Sequence, residues 1–148
     1  MRVRQGTKPP DTQEIFQVVT ELEKVRALVI DDSRAIRRVI GNILKEIGWE
    51  VTEAVHGLDA LTQLEATGCP DLMLIDWNMP EMNGLEFIKA ARAMPAYKEV
   101  PMMMVTTETE MERMAQAFIA GVNEYLMKPF DKTQLLEKLQ ILGIETGV

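Results

Sequence analysis

Apolar positions along this chain follow two rhythms: short, nearly unbroken runs of strand length, and stripes at helical spacing. The runs at 25–30, 72–75, 100–105 and 124–127 read as strands, and 49–54 alternates enough to be a half-buried fifth. Pro101 falls at the start of its run, where a strand tolerates proline. Between the runs lie helical stripes. Ile36, Val39, Ile40, Ile43, Leu44 and Ile47 mark a buried face over 34–47, and Gly48 takes the C′ position. His56-Gly57 opens a helix with Leu58, Leu61 and Leu64 inward. Met82-Asn83-Gly84 leads into another, where Leu85, Ile88 and Ala91 recur and Pro95 sets the limit. A fourth spans 108–120 and is closed by Gly121, with Thr107 and Glu110 offering a capping box. Asp131 caps a last helix that runs to about position 142.

Strands that alternate with helices, and that read as runs rather than as alternation, predict an α/β fold with a parallel sheet covered on both faces. Ahead of it, Asp11-Thr12-Gln13-Glu14 resembles a capping box, and Ile15, Val18, Val19 and Leu22 follow on one face. The expected division is a tail and short amphipathic helix at 1–24, one domain at 25–142, and a tail at 143–148. A short helix needs a surface to be stable. Packing on its own domain is the expected solution, with self-association as the alternative, so a monomer is expected and a dimer is the other outcome.

Composition narrows the function. The chain has 148 residues, 47% of them hydrophobic, which suits one soluble domain with a single core. Its net charge of −7, with scattered basic residues, is the wrong balance for nucleic acid. Cys69 is the only cysteine, so no internal disulfide is possible. No apolar run reaches membrane-spanning length, and the N-terminus lacks a secretory core, so a cytoplasmic location is expected and a membrane partner is not.

The ends of the strands carry the candidate chemistry. In a parallel sheet Asp31, Asp32, Asp76, Thr106 and Lys128 emerge on one edge. Three carboxylates in one pocket repel each other unless a hard cation sits among them, and oxygen ligands without His or Cys suit Mg²⁺. A lysine and a hydroxyl opposite that cation are what a phosphoryl group in transfer needs. A carboxylate is also a competent nucleophile. The set therefore points to phosphoryl transfer onto an aspartate. Singly, each member has a plainer role: Asp31-Asp32 and Thr106-Thr107 as helix caps, Asp76 as a turn former, Lys128 as a surface charge. Their convergence from separate strand ends favours the chemical reading. His56 reads as a solvated loop side chain, Cys69 as an inert thiol, and Met102-Met103-Met104 as core on alternating faces.

With Val29-Ile30-Asp31-Asp32-Ser33, Asp76-Trp77-Asn78-Met79-Pro80, Val105-Thr106-Thr107-Glu108 and Tyr125-Leu126-Met127-Lys128-Pro129-Phe130 in place, the chain resembles the response-regulator receiver domains over about residues 25–142. It is most similar to their stand-alone chemotaxis members. The resemblance implies a flavodoxin-like three-layer sandwich with strand order 2-1-3-4-5. It implies Asp76 as phosphoacceptor, and Mg²⁺ held directly by Asp32, Asp76 and the backbone carbonyl of Asn78, with Asp31 acting through water. Thr106 would hydrogen-bond the phosphoryl group, Lys128 would pair with it, and the Lys128-Pro129 bond would be cis. Thr106 and Tyr125 would form the switch: Thr106 moves towards the phosphoryl group and leaves space for the ring to turn inward. Asn78 and Glu108 would tune the access of hydrolytic water.

The implied role is a single-domain response regulator in chemotaxis-type signalling. A sensor histidine kinase would phosphorylate it. A motor switch or another signalling protein would then bind the face built from the helix at 108–120, the strand at 124–127 and the last helix. Such a protein assists its own phosphorylation and dephosphorylation but is not otherwise an enzyme. The alternatives are a phosphorelay intermediate that passes the group to a His-containing protein, and a pseudo-receiver that only binds. A Mg²⁺-dependent phosphatase of the haloacid-dehalogenase type would need a second Asp where Asn78 stands. Two departures from the family pattern stand out. Thr107 replaces the usual Ala or Gly, and Glu110 and Met111 replace lysines of well-known chemotaxis members, which makes the output face less basic.

Overall fold

The computed structural model describes residues 8–22 and 24–144, with the backbone alone for 19–22. The outer parts of the two expected tails, 1–7 and 145–148, and the side chains of Val19 and Leu22 lie outside the described residues. In chain order the elements are α1 (Thr12–Leu22), β1 (Arg26–Ile30), α2 (Arg34–Glu46), β2 (Glu50–Ala54), α3 (Gly57–Thr67), β3 (Leu72–Ile75), α4 (Gly84–Arg92), β4 (Met102–Thr106), α5 (Met111–Ala120), β5 (Glu124–Met127) and α6 (Lys132–Ile141). A short 3₁₀ turn, Pro95–Tyr97, follows α4. The strands form one parallel sheet in the order β2-β1-β3-β4-β5, which is the expected flavodoxin-like topology.

Alternation along the buried strands splits the core into two. Leu28, Ile30, Met73, Ile75, Met102 and Met104 face α3, α4 and α5, where Phe87, Ile88 and Leu64 meet them. Ala27, Val29, Leu72, Leu74, Met103 and Val105 face Ile40, Leu44, Leu135 and Leu139 of α2 and α6. The three successive methionines are thus packing residues on alternating faces.

Local signals set most of the boundaries. Ser33 caps α2 by accepting the Ile36 N–H. At the other end Gly48 adopts φ +88°, and the Gly48 and Trp49 amides donate to the Lys45 and Leu44 carbonyls, a Schellman ending. Full capping boxes start α4 (Asn83 with Glu86) and α6 (Asp131 with Gln134).

Several expectations are corrected. Val39 and Leu58 are exposed, because the buried stripes centre on Ile40 and Leu44 in α2 and on Ala60 and Leu64 in α3. Each lies one position off the seam. His56 is not a solvated loop residue: its Nδ1 accepts the Asp59 N–H at 3.1 Å and caps α3, while Asp59 accepts the Val55 N–H. α5 begins at Met111 without a side-chain cap, so the Thr107–Glu110 box does not form. The Glu108 carboxylate takes the Glu110 amide instead, at 3.1 Å. In α1, Asp11 accepts the Glu14 N–H at 2.7 Å as expected, but Ile15, Phe16 and Val18 are all exposed. The described part of its apolar face is therefore not buried on the domain.

Candidate functional site

Backbone hydrogen bonds carry the ladder one residue past three strands and so fix the candidate residues in register. The Asp31 amide donates to Ala54, the Asp76 amide to Ile30, and the Lys128 amide to Thr106. Thr106 itself closes β4, paired with Met127. Side chains from β1, β3, β4 and β5 therefore meet at the C-terminal edge of the sheet, where open α/β folds place ligands.

The pocket is acidic, with one cation at its centre. Oxygens of Asp31, Asp32 and Asp76 all lie within 4.8 Å of one another. Asp31 and Asp76 are buried and Asp32 is exposed, so the cluster opens to solvent on one side. Lys128 Nζ donates to Asp31 Oδ2 at 2.7 Å and lies 3.6 Å from Asp76 Oδ1. The other Asp31 oxygen accepts the Ser33 amide at 2.8 Å, and the Trp77 amide donates to Asp76 Oδ1 at 2.8 Å.

Burial pushes the Asp76 carboxyl above its ordinary range, and neighbouring Asp31 pushes it further. Lys128, the Thr106 hydroxyl and the Trp77 amide oppose that rise. A carboxylate held this way is crowded by negative charge and accessible to an incoming cation. Three oxygen donors without sulfur or imidazole fit a hard divalent ion.

The expected residues separate into two groups. Asp31, Asp32, Asp76, Thr106 and Lys128 converge on the pocket. Asn78 is exposed in the loop after Asp76, and Glu108 is half-buried in the loop after Thr106. The Glu108 carboxylate is engaged by the Glu110 amide and by Arg113 at 3.2 Å. Tyr125 is 5% exposed, so its ring already sits inward, against Phe118 at 6.3 Å between centroids. Its hydroxyl donates to the Glu108 carbonyl, and burial together with Glu108 and Asp76 pushes its pKa up to about 12. The Lys128-Pro129 peptide is cis.

Four supporting residues escaped the reading of the sequence. Arg37 donates to the Asp31 carbonyl at 2.6 Å and to Glu53 at 3.1 Å, bracing the β1 end from α2. Arg113 lies 5.8 Å over the Trp77 ring beside the acceptor loop. Gly84 allows the first turn of α4 to rest on the acceptor loop: its amide donates to the Trp77 carbonyl at 2.9 Å, and a Cβ there would strike the Asp76 carbonyl. Glu81 stands at φ +65° where the Met82 amide donates to the Pro80 carbonyl, a tight turn that a non-glycine residue adopts at some cost. Only Gly84 had a visible signal, as the glycine directly after a capping Asn.

Comparison with known proteins agrees with this geometry. The chain is 44% identical over 119 residues to the chemotaxis protein CheY1 of Helicobacter pylori, covering 80% of this chain and 96% of that protein. It is 44% identical over 125 residues to a chemotaxis protein CheY homolog of Campylobacter jejuni, covering 83% and 96%. Among solved structures, Vibrio cholerae CheY4 matches with a TM-score of 0.75 at 37% identity, over 80% of this chain and 98% of the other. A putative response regulator from Chloroflexus aurantiacus matches with a TM-score of 0.76 at 28% identity, over 81% and 98%. Residues 27–140 match the response regulator receiver domain. The chain belongs to the response regulator receiver domain family and is closely related to the CheY chemotaxis regulators.

Proposed function

We propose that the chain is a phosphoacceptor switch in chemotaxis-type signalling, charged on Asp76 by a sensor histidine kinase. One observation carries this reading. A buried strand-end carboxylate lies 3.6 Å from a lysine ammonium, beside a buried hydroxyl that favours its ionised form, and is clustered with two further carboxylates.

In the proposed reaction an Asp76 oxygen attacks the phosphorus of a phosphohistidine. The O–P bond forms, the P–N bond breaks, and the imidazole leaves with the electron pair. Asp31, Asp32, Asp76 and the backbone carbonyl of Asn78 would hold Mg²⁺, which when bound neutralises charge on the phosphoryl oxygens. Lys128 turns from Asp31 towards the phosphoryl group, and the Thr106 hydroxyl donates to it. The chain thereby assists its own phosphorylation and dephosphorylation and turns over no separate substrate. Asn78 and Glu108, in the loops that follow Asp76 and Thr106, would tune the lifetime of the acyl phosphate.

The readout is the face formed by α5, β5 and α6. Met111, Phe118, Ile119 and Met127 are exposed there, and a target protein such as a motor switch would cover them. No helix among the described residues is long and apolar enough to cross a membrane; the proposed signalling role is a cytoplasmic one.

Intact-mass measurement after incubation with acetyl phosphate and Mg²⁺ tests the proposal. A phosphoryl-sized gain is expected for the wild type, and none for Asp76→Asn or in EDTA. Exposed Thr107, next to Thr106, is expected to slow a small donor, so beryllofluoride with Mg²⁺, read by Trp77 fluorescence, is the second arm. Silence in both arms would leave a pseudo-receiver that only binds.

A further inference from the structure

Two uncovered surfaces near the start of the chain complement each other. At α1, the capping residue Asp11 shares one face by helical spacing with Glu14, Ile15 and Val18, and Ile15 and Val18 are 50% and 57% exposed. An isolated helix of 11 residues is marginal in water, so this face needs a partner surface. On the outer side of α2, the exposed face of Arg34, Ala35, Arg38, Val39 and Asn42 forms, among the described residues, the wall of an open, shallow groove of about 700 Å³. Val39 is 47% exposed within it. Arg34 and Arg38 form no ion pair among the described residues, although the chain carries a net charge of −7. One surface is acidic with an apolar centre, and the other is basic with an apolar centre.

We propose that α1 of one copy seats in the α2 groove of a second copy, and reciprocally, forming a closed twofold dimer. Asp11 and Glu14 meet Arg34 and Arg38 around a contact of Ile15 and Val18 with Ala35 and Val39. Reciprocal exchange uses the same patch pair twice and leaves no open end for a filament. The occupant is a second copy rather than the same chain for two reasons. In place, α1 leaves the face exposed. Only three residues join it to β1, a tether of at most about 10 Å, which limits its re-laying on its own domain. The other apolar candidate is α5, but Glu110 and Glu112 would face the acids of α1, and Arg113 is already paired with Glu108. The dimer does not depend on the phosphoacceptor reading.

Sedimentation of the full chain over a concentration series tests the proposal. The wild type is expected at twice the chain mass of 16.8 kDa. Arg34→Glu with Arg38→Glu, and separately Glu14→Lys with Asp11→Asn, which keeps the helix cap, each place like charges together and should weaken the dimer at least about tenfold. Mixing those two variants should restore a dimer, because both reciprocal contacts are then opposite in charge. Ile119→Glu on α5 should leave the dimer unchanged. A wild type that sediments as one chain at every concentration would overturn the proposal. So would a mixture that stays monomeric, or a dimer that Ile119→Glu dissociates while the α2 swap does not.

Discussion

Tyr125 donates its hydroxyl hydrogen to the Glu108 backbone carbonyl at 2.8 Å, while the amide of the same Glu108 donates to the Thr106 hydroxyl at 3.3 Å. The peptide units around Glu108 are thus clamped between the pocket's hydroxyl and the aromatic ring on β5. A displacement of Thr106 would therefore bear on Glu108 and, through its carbonyl, on Tyr125. In the proposed switch, this link would carry a local charge event from the pocket to the surface.

Removing the clamp should be measurable. Tyr125→Phe leaves the Glu108 carbonyl without its donor and should cost about 1 kcal/mol in urea unfolding at neutral pH. The phenol also predicts a pH dependence. Its folded pKa of about 12 lies above the ordinary value of 10.0, so folding favours the protonated phenol. That contribution is complete below the unfolded value and is lost as pH rises through about 12. Stability of the wild type should therefore fall more steeply over this alkaline window than that of Tyr125→Phe. Parallel slopes would contradict the assignment.

Asp76→Asn should raise the thermal midpoint in EDTA at neutral pH. The carboxyl is held above its ordinary range by burial and by Asp31, so its stabilising contribution belongs to the protonated form and is lost as pH rises through the raised folded value. A neutral amide removes the repulsion. Mg²⁺ should then stabilise the wild type more than the variant, since the variant lacks one of three clustered carboxylates. A variant that melts lower than the wild type in EDTA would refute the account.

The strands and the pocket were legible because strand ends are marked by abrupt changes of residue type, whereas the strand order came from the family resemblance. Ile30 to Asp31, Ile75 to Asp76 and Met127 to Lys128 each switch from apolar to charged in one step. Helix seams were less legible. Spacing shows that Val39 and Ile40, or Leu58 and Leu61, belong to one stripe, but not which member faces the sheet. The start of α5 was misplaced because the Glu108 carboxylate takes the Glu110 amide that a Thr107 cap would have used. His56 was missed as a cap because imidazole is outside the preferred set of Ser, Thr, Asp and Asn. Arg37 and Arg113 act through long side chains whose reach no local pattern records.

Gly84→Ala should disturb the pocket without touching any of its side chains. The added methyl would meet the Asp76 carbonyl and approach Trp77 Cα at 3.0 Å, both backbone atoms that cannot swing away. Overpacking of this kind costs roughly 1–3 kcal/mol. Because the strain falls on the acceptor loop, Mg²⁺ affinity read by Trp77 fluorescence should weaken along with global stability. A variant that is destabilised yet binds Mg²⁺ as the wild type does would place the strain elsewhere.

Lys128→Met tests whether the lysine is integral to the acidic pocket. Its partner Asp31 is 2% exposed, and the pair is 2.7 Å apart. Removing one member of a buried ion pair leaves an uncompensated charge and typically costs roughly 3–5 kcal/mol. The same loss is expected here in urea unfolding with EDTA. Adding Asp31→Asn to Lys128→Met should recover a large part of it, because no lone carboxylate then remains buried at that position. The two substitutions should accordingly be far from additive, as neighbours sharing one interaction are. Mg²⁺ should also stabilise Lys128→Met more than it stabilises the wild type, since the cation replaces the missing positive charge among Asp31, Asp32 and Asp76. Additive effects, or equal gains from Mg²⁺, would mean that the lysine is solvated and that the pocket balances its charges without it.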